Sequence, residues 1–367
     1  MKLTCDRQAL CDSILTTSRA VSTKSTLPAL EGILLTAKDG QLTLQAYDLE
    51  LGIKTGIDAS VEEEGATILN ARILSDVVRK LAGETVTLTI DPKHLTVIES
   101  GHAKFTILGT PPDEFPEMPA VEDGDVIRIS KEVLKSMIRQ TIFAISQSDQ
   151  KPVHTGSLFD FADGVLNVVS VDGYRLALRR ETVGVDGSFR FIVPGRTLSE
   201  ILKVLTDEEG DVAITVARRH AIFEIGGFRF ISRLIEGDFL DYKNTIPKET
   251  KTVVRANTRE FVDCVERASL LITDKLKSPL RCEFGDGKIA LHCQTAIGKV
   301  YDEFGAAIDG EPVSIGFNHK YLLDALKACE TDEVKVELLG PLSPMLVRPV
   351  DGDSFTFLVL PVRLKNE

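Results

Sequence analysis

At 367 residues the chain is too long for one ordinary hydrophobic core and points to two or three domains. Hydrophobic residues make up 43% and charged residues 27%, a globular balance, and no run approaches the roughly 20 apolar residues of a membrane-spanning helix. A formal net charge of −12 excludes a chain that is basic throughout, so any contact with nucleic acid must come from a local concentration of positive charge.

The opening Met1-Lys2-Leu3-Thr4-Cys5-Asp6-Arg7 carries charge where a signal peptide has its apolar run, which leads to the expectation of a cytoplasmic protein. Helical spacing then predicts an amphipathic helix around 6–19. Asp39-Gly40, between two apolar runs, predicts a tight hairpin. A second helix follows over 70–82, and Val86-Thr87-Leu88-Thr89-Ile90 alternates as a strand. The proline-rich, acidic stretch Pro111 to Pro119 predicts a connector.

The same order of signals then returns twice. Helices are expected at 131–147 and 195–206, with the hairpin Asp163-Gly164 between them and the strand Val212-Ala213-Ile214-Thr215-Val216 after them. A less marked joint lies near Asp241 to Lys251. Helices at 257–272 and 318–329, the hairpin Asp286-Gly287 and the strand Val334-Lys335-Val336-Glu337-Leu338 complete a third unit. The units therefore read as α+β domains, each of two helices packed on antiparallel sheets, with boundaries at 1–121, 122–249 and 250–367.

One charge plan runs through the second helix of every unit. Arg72, Arg196 and Lys320 stand 124 residues apart. Each has an acid four residues on (Asp76, Glu200, Asp324) and a base seven residues on (Arg79, Lys203, Lys327). Together the six helices carry a net positive charge, so strands and loops hold the whole acidic excess. Such spacing also suits ordinary i,i+4 pairing on an exposed helix, but its repetition in register favours a shared surface facing an anion.

Six helices per chain become twelve in a dimer. Axes about 9–10 Å apart make a circle roughly 35 Å across and leave about 25 Å clear, room for a double helix with water. A dimeric ring is therefore expected, with duplex DNA enclosed rather than read, since a sliding ring needs attraction without register.

Several local sequences together resemble the bacterial DNA polymerase III beta subunit, the beta sliding clamp family. They are Thr26-Leu27-Pro28-Ala29-Leu30, Asp113-Glu114-Phe115-Pro116, Asp172-Gly173-Tyr174-Arg175-Leu176-Ala177, Phe317-Asn318-His319-Lys320-Tyr321 and Leu360-Pro361-Val362-Arg363-Leu364, and the resemblance spans the whole chain. It implies a head-to-tail homodimer forming a six-domain ring. It also implies one pocket per chain, between the second and third domains, that binds short linear motifs of the replicative polymerase, clamp loader and repair proteins.

Carried over by position, the pocket would use His154, Val171, Gly173, Tyr174, Arg175, Leu176 and Leu240 from the second domain. The third would add Asn318, Tyr321, Leu342, Pro344, Leu358, Leu360, Pro361, Val362, Arg363 and Leu364. Physically this reads as an apolar groove with Arg175 as a polar rim. DNA contacts would come from Lys24, from the loop residues Gln147, Ser148 and Lys151, and from helix bases. Those bases are Arg72, Arg79, Lys131, Lys135, Arg139, Arg196, Lys203, Lys320 and Lys327. The subunit contact would set Val77, Leu81 and Phe105 of one chain against Leu271 and Ile272 of the other, the latter two in an apolar run that ends a helix. The chain departs from the family pattern at His154, an apolar position in the family, at Leu240 and Asn244 in place of proline and arginine, and in the extension Lys365-Asn366-Glu367.

No catalysis, cofactor, metal or membrane contact is expected. The six cysteines are scattered without metal-ligand spacing, and Trp is absent, which argues against a platform for stacking single-stranded bases. Ser148-Asp149-Gln150-Lys151 and Lys54-Thr55-Gly56 spell fragments of a penicillin-binding signature but in the wrong order. The competing function is a three-domain interaction scaffold that does not encircle DNA.

Overall fold

Asp39-Gly40, Asp163-Gly164 and Asp286-Gly287 form the three expected hairpin turns. Each pair has positive φ at both positions (50° and 75°, 53° and 75°, 50° and 73°), the type I′ geometry whose twist matches the flanking strands. A computed structural model describes residues 1–22, 25–119, 124–184, 187–273, 275–276 and 278–364. It divides into two compact units, Met1–Glu132 with Ser199–Leu234, and Val133–Leu198 with Ile235–Glu367.

In the first unit the helices α1 (Arg7–Thr17) and α2 (Ala71–Lys80) begin at Asp6 and Asn70, whose side chains accept from Ala9 N and Ile73 N at 2.7 and 3.1 Å. Such caps satisfy amides that have no partner inside the helix and contribute about 1 kcal/mol each. Leu10 and Ile14 of α1 and Leu74 and Val78 of α2 are buried, so both helices lay an apolar stripe on the sheet. That sheet has twelve antiparallel strands, with Ala103–Leu108 at one end and Asp125–Ser130 at the other. The 13-residue strand Leu51–Glu63 holds it together: its first half pairs with Phe228–Arg233 and its second half with Lys2–Asp6.

In the second unit a nine-stranded sheet runs from Phe189–Pro194 to Ala307–Gly310, and a four-stranded sheet from Gly298–Gly305 to Val313–Phe317. Arg175–Thr182 pairs with Phe355–Val359, placing Leu176 opposite Leu358. The helices α3 (Lys131–Arg139) and α4 (Gly195–Leu202) are shared between the units, while α5 (Tyr242–Thr245), α6 (Thr258–Ala268) and α7 (His319–Lys327) lie in the second. Phe261, Cys264, Leu322 and Leu326 join α6 and α7 in one buried cluster.

Helix lengths are where the sequence expectation fails. The third helix ends at Arg139 rather than 147, because the Thr141 hydroxyl turns back to donate to the Met137 carbonyl (2.8 Å) and a separate 3-10 turn forms at 142–144. The sixth ends at Ala268, because Ser269 turns to φ −92° and ψ −1° after its N–H closes the last turn on the Val265 carbonyl, so Leu270, Leu271 and Ile272 follow the helix instead of closing it. Asp6 ends a strand and caps α1 rather than opening it, α1 gives way to a 3-10 turn over Ser18–Ala20, and α4 stops at Leu202.

Candidate functional site

Asp172 builds the turn at the heart of the expected pocket. Its Oδ1 accepts from Tyr174 N (2.9 Å) and Arg175 N (3.1 Å), and Gly173 takes φ +90°, a conformation that strains a residue with a side chain. Tyr174 is thereby held out, 60% exposed, with its ring stacked on Tyr321 of α7 at 5.8 Å.

Arg175 turns inward. Its Nε donates to Asp172 Oδ2 at 3.0 Å and its Nη1 to Asp324 of α7, while the guanidinium lies over the rings of Tyr321 (4.6 Å) and Phe143 (5.4 Å). The open polar rim expected from sequence is therefore a locked crosslink, because two carboxylates and two aromatic faces compete successfully with water for the guanidinium.

The chain end crosses this turn. Leu360 N donates to the Tyr174 carbonyl (2.9 Å) and Val362 N to the Gly316 carbonyl (2.8 Å). A Cβ at Gly316 would stand 2.6 Å from the Val362 oxygen, so only glycine admits the tail there. Val171, Leu176 and Leu358 are buried in the floor with Leu158, Ile192, Tyr242 and Leu346. Above them Leu240, Leu342, Leu360 and Val362 stay exposed, as does Arg363, while Pro344 and Leu364 are half-buried. His154 is buried, with its ring edge on Phe239 at 5.8 Å.

A cavity of about 710 Å³ continues the groove along α7. Asn318, Tyr321 and Val362 line it, and so do Thr273, Ser278, Pro279, Phe317 and His319, which sequence reading missed. Phe239, Val153 and Ile235 of the wall were also missed, and apolar loop residues carry no periodic signal that would have singled them out. Asn318 serves as the α7 cap, accepting from Lys320 N at 3.0 Å.

The repeated bases occupy one structural position. Arg72, Arg196 and Lys320 are each the second residue of their helix, and all three are exposed. Their companions are drawn into ion pairs: Arg79 with Asp76 (3.5 Å), Lys203 with Glu200 (2.8 Å) and Lys327 with Glu266 (2.6 Å). Lys131 and Lys135 are half-buried on α3, and Arg139 meets Glu330 at 3.7 Å. Gln147, Ser148 and Lys151 are exposed in the loop, and Lys24 lies outside the described residues, as do Lys365 to Glu367.

The residues expected at the subunit contact are unequal. Phe105 is exposed on the end strand Ala103–Leu108, beside Leu108 at 74% exposure. Val77 is half-buried and Leu81 buried, because Leu81 closes α2. Of the run after α6, Leu270 is the exposed member, at 76%. Leu271 is half-buried, and Ile272 packs on the core and lines the cavity.

Comparisons with known proteins bear on all these features. Family models for the DNA polymerase III beta subunit match as its N-terminal domain at residues 1–119, its central domain at 128–241 and its C-terminal domain at 243–363. A protein described as beta sliding clamp from Staphylococcus epidermidis is 34% identical over 374 residues, covering 99% of each chain. The DNA polymerase sliding clamp of Bacillus subtilis superposes with a TM-score of 0.97 at 33% identity, covering 100% of both chains. A putative DNA polymerase III beta subunit from Eubacterium rectale gives 0.95 at 38% identity over 99% of each. With three consecutive family domains spanning nearly its full length, the chain belongs to the DNA polymerase III beta subunit family, the beta sliding clamps.

Proposed function

We propose that two copies of this chain close head to tail into a ring around duplex DNA, and that the ring tethers the replicative polymerase, the clamp loader and repair proteins to DNA without catalysing a reaction. The three domains would divide at 1–121, 122–249 and 250–367. The observation that carries the reading is the position of Arg72, Arg196 and Lys320 in the first turn of three helices. A cation there opposes the helix dipole, at a cost of about 0.3–1 kcal/mol each, so helix stability does not account for it. Phosphates facing the helix starts do, since amide N–H groups and the adjacent base attract the same anion.

Ring closure is supported by two sheet ends that carry exposed apolar residues. Ala103–Leu108 ends the twelve-stranded sheet with Phe105 and Leu108, and Gly298–Gly305 ends the four-stranded sheet with Tyr301, next to exposed Ile297. Pairing these edges between copies would satisfy their open backbone groups and cover the apolar side chains. Tethering is supported by the groove, whose exposed Leu240, Leu342, Leu360 and Val362 suit a short extended motif with a few apolar anchors. Work at DNA would place the protein in the cytoplasm, and among the described residues no helix is long and apolar enough to cross a membrane.

The test is topological. Loaded by a clamp loader and ATP onto a nicked plasmid circle, the protein is expected to co-elute with DNA in moderate salt and to be released when the circle is cut once. Retention unchanged by linearisation removes the ring and leaves an ordinary surface binder or scaffold.

A further inference from the structure

Lys54-Thr55-Gly56, a triplet left without any catalytic partner, falls inside the 13-residue strand Leu51–Glu63 of the first unit. Ile53 and Thr55 are buried, whereas Lys54 and Gly56 are exposed, as the two-residue period of a strand requires. Strand pairing sets Gln45, Lys54, Arg229, Glu224, Ala213 and Arg128 in one row across the sheet.

The fold does not explain this row. Lys54 stands directly opposite Arg229, and like charges in that position weaken strand pairing. Among the described residues no acid pairs with Lys54, and no group hydrogen-bonds the Gln45 carboxamide beside it. Arg229 is loosely held, its covered Nε lying 3.7 Å from Glu224 Oε1 without a hydrogen-bond partner. Gly56 is equally unexplained. Its φ is not positive, and a Cβ there would meet only the Gln41 side chain, at an ordinary 3.6 Å. Glycine inside a strand loses backbone entropy and packs nothing, so stability favours another residue at this place.

A partner outside the chain accounts for all of these features. Gly56 opens the sheet surface to the close approach of another backbone, and Lys54 and Arg229 place two cations beside that path. Opposed residues on neighbouring strands stand about 5 Å apart, and alternate side chains of an extended chain about 7 Å apart. Two long, flexible cations therefore reach two carboxylates of one extended segment. Glu224 at the end of the pair and the net charge of −12 disfavour a longer polyanion.

We propose that this face of the sheet docks an extended acidic segment of a partner protein, its backbone passing over Gly56 and its carboxylates meeting Lys54 and Arg229. The site belongs to the first unit alone, and it rests neither on the peptide groove nor on ring closure.

The probe is a fluorescent decapeptide of alternating glutamate and serine, compared at low salt with a glutamine-serine decapeptide and a thymidine decanucleotide. Anisotropy is measured with the full-length protein, with Lys54→Gln plus Arg229→Gln, with Gly56→Val, and with Arg72→Gln plus Arg196→Gln plus Lys320→Gln. The glutamate peptide is expected to bind best. The Lys54 and Arg229 pair of changes should weaken it roughly three- to tenfold, the worth of two exposed ion pairs, and the three helix-base changes should not. Gly56→Val should weaken it comparably while leaving the melting temperature unchanged or higher, since valine suits a strand. Equal binding of the glutamine peptide, or wild-type affinity in either the double variant or Gly56→Val, overturns the inference. So does a lower melting temperature for Gly56→Val, which would show that the fold itself requires glycine. Tighter binding of the oligonucleotide, lost with the same two cations, would assign the face to nucleic acid and overturn it as well.

Discussion

Arg175 shows how one side chain joins the parts of the groove. It reaches from the Asp172 turn to Asp324 on α7, and its flat guanidinium fills the space between Tyr321 and Phe143. Replacing it by alanine leaves two carboxylates without their cation and uncovers two aromatic rings. We expect Arg175→Ala to lower the unfolding free energy by about 2–3 kcal/mol and to weaken peptide binding at least about tenfold. Arg175→Lys should recover little of either, because an ammonium cannot span both carboxylates and also stack. Urea denaturation and anisotropy check the two effects separately, and wild-type values for Arg175→Ala would show that the crosslink is incidental.

A comparable economy appears among the elements. The Asp172 turn is the second copy of a turn at Asp48, whose Oδ1 accepts from Glu50 N (3.0 Å) and Leu51 N (2.8 Å). In both copies a later strand docks on the turn, Arg233 N on the Glu50 carbonyl (2.8 Å) and Leu360 N on the Tyr174 carbonyl (2.9 Å). The scaffold is thus repeated and the chemistry is not. Leu49-Glu50-Leu51 in the first copy becomes Gly173-Tyr174-Arg175 in the second, which adds the stacked ring and the crosslink. Leu49 holds φ +78° in the first copy, the backbone conformation that Gly173 adopts without strain in the second.

Edge strands divide in a similar way into paired and open. Phe105→Arg with Leu108→Arg places two cations on an end strand whose side chains already face solvent. We expect monomers in analytical sedimentation with little loss of thermal stability. By contrast Leu271→Ala with Ile272→Ala should also cost stability, about 1–3 kcal/mol, because Ile272 packs on the core of the second unit. A dimer that survives the arginine pair at micromolar concentration would exclude this strand from the subunit contact.

Across the whole molecule the balance of charge explains how an acidic protein approaches DNA. A net charge of −12 repels a duplex from most of the surface, and on the proposed function the bases at the helix starts would supply the local attraction. Ion pairs such as Lys203 with Glu200 and Lys327 with Glu266 would temper that attraction, as the proposed movement of a ring along DNA requires. Changing Arg72, Arg196 and Lys320 together to glutamine should reduce the slope of log affinity against log salt by about one unit for each phosphate left without its cation. It should leave the dimer and the peptide groove unaltered, and an unchanged slope would mean that these bases do not meet phosphate.

By itself the sequence determined the triplicated α+β plan, the hairpins and the family, because those depend on local signals that repeat. Asp-Gly pairs dictate their turns, apolar periods dictate helices and strands, and both recur near 124 residues. Helix ends were less legible, since the back-bonding Thr141 hydroxyl and the cap at Ser269 act through local contacts and leave the apolar period intact. Only the tertiary structure decided that Arg175 is locked, that Ile272 faces a cavity and that the His154 ring packs edge-on against Phe239. Each of those depends on residues far apart in sequence meeting in space, and no spacing along the chain records such a meeting.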